Sequence, residues 1–219
     1  MESLFCDDYH ADRAAFERTL ARFVEHSGRS LELHRYTVDA SADLSVTAAL
    51  LHARSPERLL VLVTGIHGVE GYAGAAVVRL LLSELLLGTD AERTGLLVVH
   101  ALNPYGFAWD RRVNEDNADI NRNFVDHDEP PENAPYAALA EWIAPKDMSR
   151  DAVKAANARL KAYSDRHGDF ALQEAVTKGQ YVYPDGLYYG GSKESWSSLM
   201  LRDVLKEELR GVKRLVVID

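Results

Sequence analysis

Two side chains of metal-ligand type stand three residues apart in GIHGVEGYAG: His67 and Glu70, with Gly65 and Gly68 beside the histidine. A neutral imidazole nitrogen and a carboxylate oxygen are good donors to zinc, and the glycines permit the tight backbone that brings both to one point. The same pair has a plainer use. His67 could cap the helix that follows, and Glu70 could sit at that helix's positive end. A second concentration of polar groups lies in NPYGFAWDRRVNEDNADINRNF, residues 103 to 124, where Arg111, Arg112, Asn114, Asn117, Asn121, Arg122 and Asn123 crowd together. Arginine and asparagine make a donor array for a carboxylate or a developing oxyanion. Such a region reads as having no core-building use; the alternative is a solvated loop with asparagine-stabilised turns.

Both stretches follow strand-like runs. RLLVLVTG is apolar almost throughout, as in a strand covered on both faces, and a helix from about Val69 to Leu87 follows it. GLLVVHALN repeats the strand pattern and ends in the turn signal NPYG. Strand, helix, strand places His67 and Glu70 at the carboxyl edge of a central sheet, where open α/β sheets bind their ligands. Upstream, Phe16, Leu20 and Phe23 recur at helical spacing behind an acidic start, with Gly28 as the stop. LELHRYTV alternates like a half-buried strand, with LSVTAALLHA as its antiparallel neighbour. VDHDEPPENAP reads as a surface loop, and helical patterns occupy about 136 to 145, 150 to 178 and 194 to 210, with Trp196 at a core-facing helix start. The final VKRLVVID is another buried-strand pattern. The expectation is a single α/β domain over residues 1–219.

The chain has 219 residues, 47% of them apolar, enough for one sizeable core. Its formal net charge of -9 and the lack of any basic block argue against nucleic-acid binding. The partner expected is a small molecule or peptide. One cysteine, Cys6, allows no internal disulfide and suits a reducing compartment. No signal-peptide pattern opens the chain, and no run reads as reaching the roughly 18 apolar residues that cross a bilayer, so a cytoplasmic protein without membrane contact is expected. His100, after LLVV, reads as a packed, hydrogen-bonded histidine.

The two polar motifs together resemble the zinc carboxypeptidase superfamily, and most closely its bacterial branch of predicted zinc peptidases once filed as a domain of unknown function. The likeness rests on GIHGVEGYAG and on NPYGF followed by RVNEDNADINRNF; with GLYYGGSKESWSSLMLRDVL it extends over about residues 59 to 219. The resemblance implies a three-layer α/β/α fold with a mixed, mostly parallel sheet. It implies one Zn2+ ion with His67 and Glu70 as its first two ligands, and Arg112 as the group that polarises the scissile carbonyl, with Arg111 as fallback. It also implies that Asn121 and Arg122 grip the substrate's terminal carboxylate. The family's third ligand, a histidine just after the next strand, and its general-base glutamate are not found. His127 and His167 follow no strand, and RLVVID looks like the strand that precedes the missing histidine. A fold lacking its C-terminal part, with impaired hydrolysis, is therefore expected.

Three functions stay open on these residues: a zinc-dependent peptidase of carboxypeptidase type, an N-acyl amino-acid amidohydrolase with the same motifs, and a non-catalytic carboxylate-binding module. A nucleotide site is disfavoured, because GIHGVEG lacks the G-x-G-x-x-G spacing.

Overall fold

The computed structural model describes residues 4–39 and 41–219. Its internal contacts divide the chain into two compact units, one of residues 1–115 with 199–219 and one of residues 116–198.

The first unit opens with α1, Tyr9–Ser27, and both of its ends follow from local chemistry. The Asp8 carboxylate accepts the Ala11 N–H at 2.8 Å, satisfying one orphan donor of the first turn. Gly28, at φ 65°, closes the helix with its N–H on the Val24 carbonyl. The expected Phe16, Leu20 and Phe23 stripe is buried. Strands β1 (Leu31–Asp39) and β2 (Leu44–Leu51) then pair antiparallel.

Among the described residues, five strands form one mixed sheet in the order β1-β2-β4-β3-β5. β3 (Arg58–Val63) lies parallel to both β4 (Thr94–His100) and β5 (Arg214–Ile218), while β2 and β4 run antiparallel. Helix α2 (Gly68–Leu80) makes the crossover from β3 to β4, extended to Gly88 by a π turn and a 3-10 turn. Phe16, Leu20 and Phe23 of α1, Val78 and Leu82, and Ala49, Leu51, Leu62, Leu96 and Val98 of the sheet form one core cluster.

Several expectations need correction. β1 does not alternate as half-buried: it sits at an edge of the sheet and most of its residues are exposed, while all of β2 beside it is buried. β5 is not buried either: it lies at the other edge of the sheet and all five of its residues are exposed. Trp196 opens α7 (Trp196–Glu208) but keeps 40% of its surface in solvent. The continuous helix Gly68–Gly88 is long and apolar enough to cross a membrane by length and composition, contrary to the reading that no run is. Here, however, its Val78 and Leu82 pack into the core just described.

The second unit holds α4 (Ala134–Ile143), α5 (Arg150–His167) and α6 (Asp169–Thr177), joined by long loops. Gly168, at φ 93°, breaks the expected continuous helix into α5 and α6.

Candidate functional site

The turn after β3 must pass very close to its neighbours. Gly65 adopts φ 69°, and a Cβ there would stand 3.0 Å from the Ala101 Cα. A Cβ on Gly68 would fall 1.8 Å from the Gly106 carbonyl carbon, so the start of α2 touches backbone of the short helix α3, Pro104–Ala108. Only glycine fits at either position. The packing delivers His67 to the N-cap position of α2 with extended backbone, φ -103° and ψ 126°.

His67 occupies the cap position without capping, for its side chain makes no cap hydrogen bond. Instead its Nδ1 lies 3.1 Å from Glu70 Oε2, and the other carboxylate oxygen, Glu70 Oε1, accepts from Arg112 Nη1 at 3.2 Å. The three side chains form a chain of imidazole, carboxylate and guanidinium. Exposure rises from 10% for His67 through 34% for Arg112 to 62% for Glu70, so the group opens to solvent at its carboxylate. Arg111 is exposed, and Arg112 is the arginine that reaches the pair.

Asn103, buried to 1%, ties this group together. Its Oδ1 accepts the Gly106 N–H at 2.8 Å, capping α3. Its amide nitrogen makes long hydrogen bonds to the Ile66 carbonyl at 3.5 Å and the Arg112 carbonyl at 3.4 Å. One side chain thus holds the residue before His67 and the backbone of Arg112. The sequence marked Asn103 as a turn former and as part of the NPYGF likeness, without a role in the site; the signal for more is its place directly after a buried strand and directly before Pro104.

Asn121 and Arg122 belong to the second unit. Asp119, fully buried, caps a 3-10 turn over Ile120–Arg122 by accepting the Asn121 N–H at 3.0 Å. Arg122 donates from Nη2 and Nε to the Thr177 carbonyl at 2.8 and 3.2 Å, and its guanidinium lies 5.9 Å from the centre of the Tyr188 ring. Asn121, Arg122, Phe124, Lys178 and Tyr181 line a cavity of about 260 Å³ in this unit.

The reading that the asparagine-rich stretch has no core-building use is overturned. Asn123 is fully buried; its amide nitrogen donates to the Gly190 and Lys193 carbonyls at 2.7 and 2.9 Å, and its oxygen accepts from Ser195 N and Ser198 Oγ. Asn117, at φ 57°, donates to the Pro184 carbonyl at 2.7 Å. These amides stand in for regular secondary structure by satisfying the backbone of loop 184–195.

His100 is the packed histidine the sequence indicates. It is 1% exposed, its ring stacks on Phe16 with centroids 4.8 Å apart, and its Nε2 lies 2.9 Å from Asp12 Oδ1. Arg79 Nη1 donates to the same oxygen at 2.7 Å. Burial pushes the Asp12 carboxyl upward, but the hydrogen bonds from His100 and Arg79 outweigh it and hold the group below its ordinary range. Cys6 is a free cysteine whose thiol is pushed up by burial and by the Asp12 charge, which makes it a poor nucleophile.

The donor set at His67 and Glu70 suits part of a zinc site. Two protein donors on one tetrahedral zinc stand roughly 3.3–3.5 Å apart, and the imidazole nitrogen and carboxylate oxygen here are 3.1 Å apart. Among the described residues, no three His, Cys, Asp or Glu side chains gather as a metal site, so the pair supplies two donors of the three a catalytic zinc takes. His127 bonds instead to the Asn123 carbonyl, and His167 packs against the Tyr163 ring.

A family model described as "Protein of unknown function (DUF2817)" matches residues 5–219. The structure is similar to that of thrombin activatable fibrinolysis inhibitor, with TM-score 0.54 and 10% identity over 96% of this chain and 46% of that one. It is similar also to the bovine form of that protein in complex with a tick carboxypeptidase inhibitor, with TM-score 0.52 and 11% identity over 97% of this chain and 60% of that one. A histidinol dehydrogenase from Nitrosomonas europaea is 24% identical over 171 residues, 73% of this chain and 38% of that protein. The chain spans less than two thirds of the length of each. The zinc carboxypeptidase-like fold and the family of unknown function that the motifs indicate are both borne out, as is the α/β architecture with a mixed sheet flanked by helices.

Proposed function

The chain belongs to the DUF2817 family of proteins of unknown function, and from that premise we propose that it carries the metal-binding part of a hydrolase for peptide bonds next to a free carboxylate. The observation that carries this reading is the chain of contacts from His67 through Glu70 to Arg112 at the carboxyl end of β3. His67 and Glu70 would hold the zinc, which when bound acts as a Lewis acid and lowers the pKa of its water to about 7. Arg112 presents donors for the scissile carbonyl oxygen and for the negative charge that develops on it. Asn121 and Arg122 take the substrate's terminal carboxylate, a role suited to a forked guanidinium beside an amide.

Two protein donors hold zinc weakly, so low metal affinity and low turnover are expected of residues 1–219 alone. An N-acyl amino acid presents the same two handles, an amide carbonyl and a free carboxylate, and is the alternative substrate class. A cytoplasmic location belongs to the same proposal and is checked by cell fractionation.

The deciding experiment measures zinc-dependent hydrolysis of short peptides and N-acyl amino acids, with Arg112→Ala and Arg122→Ala beside the unaltered chain. Arg112→Ala should lower kcat and Arg122→Ala should chiefly raise KM. Carboxylate binding that survives chelation, with no turnover on either class, would make the chain a binding module and refute the hydrolase.

A further inference from the structure

The chain leaving β4 carries one residue more than its pairing with β3 can use. Thr64, directly after β3, donates its N–H to the Val99 carbonyl at 2.9 Å. In a regular parallel ladder the Thr64 carbonyl would next accept the Ala101 N–H. It accepts the Leu102 N–H instead, at 2.9 Å, and the Asn103 N–H follows on the Gly65 carbonyl at 2.8 Å. Ala101 is therefore an inserted residue, a bulge, and its φ of 58° lies in the left-handed region that residues other than glycine seldom adopt. Its displaced N–H goes to the Thr64 hydroxyl at 3.3 Å, and that hydroxyl donates onward to the Val99 carbonyl at 3.5 Å. Ala101 is 0% exposed and Thr64 4%, so bulk water offers neither group another partner.

The surroundings fix this bulge from every side. His100 before it is held by Asp12 and by the Phe16 ring, Leu102 after it is fully buried, and Ala101 itself packs in a cluster with Tyr9, Leu44, Ala75 and Phe107. A strained residue persists where its neighbours over-determine it, and such residues gather at functional sites. We propose that Thr64 is a positioning residue for the group of His67, Glu70 and Arg112, acting through the Ala101 bulge and Asn103. One inserted residue reverses the side toward which the residues after it point. Here it turns Asn103 so that its amide nitrogen reaches the Ile66 and Arg112 carbonyls while its oxygen caps α3. Without the insertion Asn103 would face the other way, and the backbone beside His67 and that of Arg112 would lose their common tie. The Thr64 hydroxyl makes the insertion tolerable, because the Ala101 N–H has no other partner among the described residues and a buried, unpaired N–H is costly. The consequence for catalysis rests on the hydrolase reading; the geometry does not.

The test compares the whole chain with Thr64→Val, which keeps the side-chain shape and removes the hydroxyl, and with Thr64→Ser, which restores the hydroxyl. Amide hydrogen exchange at Gly106, whose N–H is held by Asn103, reads the positioning directly. Thr64→Val should speed exchange there about tenfold while the amides of β2 keep their protection, and Thr64→Ser should reverse the change. Zinc-supported hydrolysis should follow: in Thr64→Val kcat falls about tenfold or more at unchanged KM, because Arg112 shifts while Asn121 and Arg122 belong to the other unit, and Thr64→Ser recovers it. A merely structural role would instead loosen the whole sheet and leave kcat per folded molecule as it was. On the unaltered chain, scalar coupling across hydrogen bonds should link the Thr64 carbonyl carbon to the Leu102 amide and not to that of Ala101, which decides the bulge even if Thr64→Val fails to fold. Coupling from the Ala101 amide, or Gly106 exchange indifferent to Thr64→Val, overturns the proposal. Absence of turnover in the unaltered chain would refute the hydrolase reading alone, since exchange at Gly106 still decides the role of Thr64.

Discussion

The first unit contains two clusters built from the same three side-chain types, a histidine, a carboxylate and an arginine, in opposite settings. In one, Asp12 is buried completely and takes His100 at 2.9 Å and Arg79 at 2.7 Å on a single oxygen. In the other, Glu70 is 62% exposed and divides its oxygens between His67 at 3.1 Å and Arg112 at 3.2 Å. The difference teaches that composition does not assign a role. Where water and ligands are excluded, the triad locks α1 to the sheet and to α2; where the carboxylate faces solvent, the same groups can be claimed by a metal or a substrate.

Mutations should separate the two clusters sharply. The largest effect is expected from Asp12→Ala, which leaves the Arg79 charge buried without its partner and should cost about 3–5 kcal/mol in denaturant unfolding. The same carboxylate sets a pH dependence. Because its pKa is depressed in the folded state, its contribution is fully present above the unfolded value of about 3.9 and is lost as pH falls through the lower, folded value. Asp12→Asn should flatten that acid limb, and an unchanged limb would remove Asp12 from the account.

Next in size, Arg112→Ala should lower zinc-supported hydrolysis by about 10²- to 10³-fold, the range for losing one oxyanion donor, while the melting temperature barely moves. Asn103→Ala should cost about 1 kcal/mol as a lost helix cap. Because Asn103 also holds the backbone on both sides of the group, hydrolysis should fall more than stability implies. The smallest expected effect is the unfolding change of Glu70→Ala, about 0–1 kcal/mol, as for other exposed ion pairs. A loss as large as that for Asp12 would erase the contrast between the clusters.

Much of this was legible in the sequence wherever a local rule decides. Asp8 and Gly28 bound α1 by capping chemistry, the β3 and β4 runs announce buried strands, and the spacing of His67 and Glu70 marks the turn between β3 and α2. What was not legible depended on distant partners. RLVVI reads the same whether or not other elements cover the strand's faces, so the exposure of β5 and its place at the sheet edge show only in the folded chain. Asn123 reads as a loop amide until Gly190, Lys193, Ser195 and Ser198, some seventy residues away, close around it. Asn103 is similar: its partners Ile66 and Arg112 flank two separate motifs, and only folding brings them to one amide.

Equilibrium zinc binding to this chain, followed by competition with a chelating dye, bears most directly on the role of the exposed cluster. The account predicts one weakly held ion per chain, with affinity reduced tenfold or more by His67→Ala and by Glu70→Ala and left unchanged by His100→Gln. Zinc that binds equally well to the His67 and Glu70 variants, or that does not bind saturably at all, would contradict it.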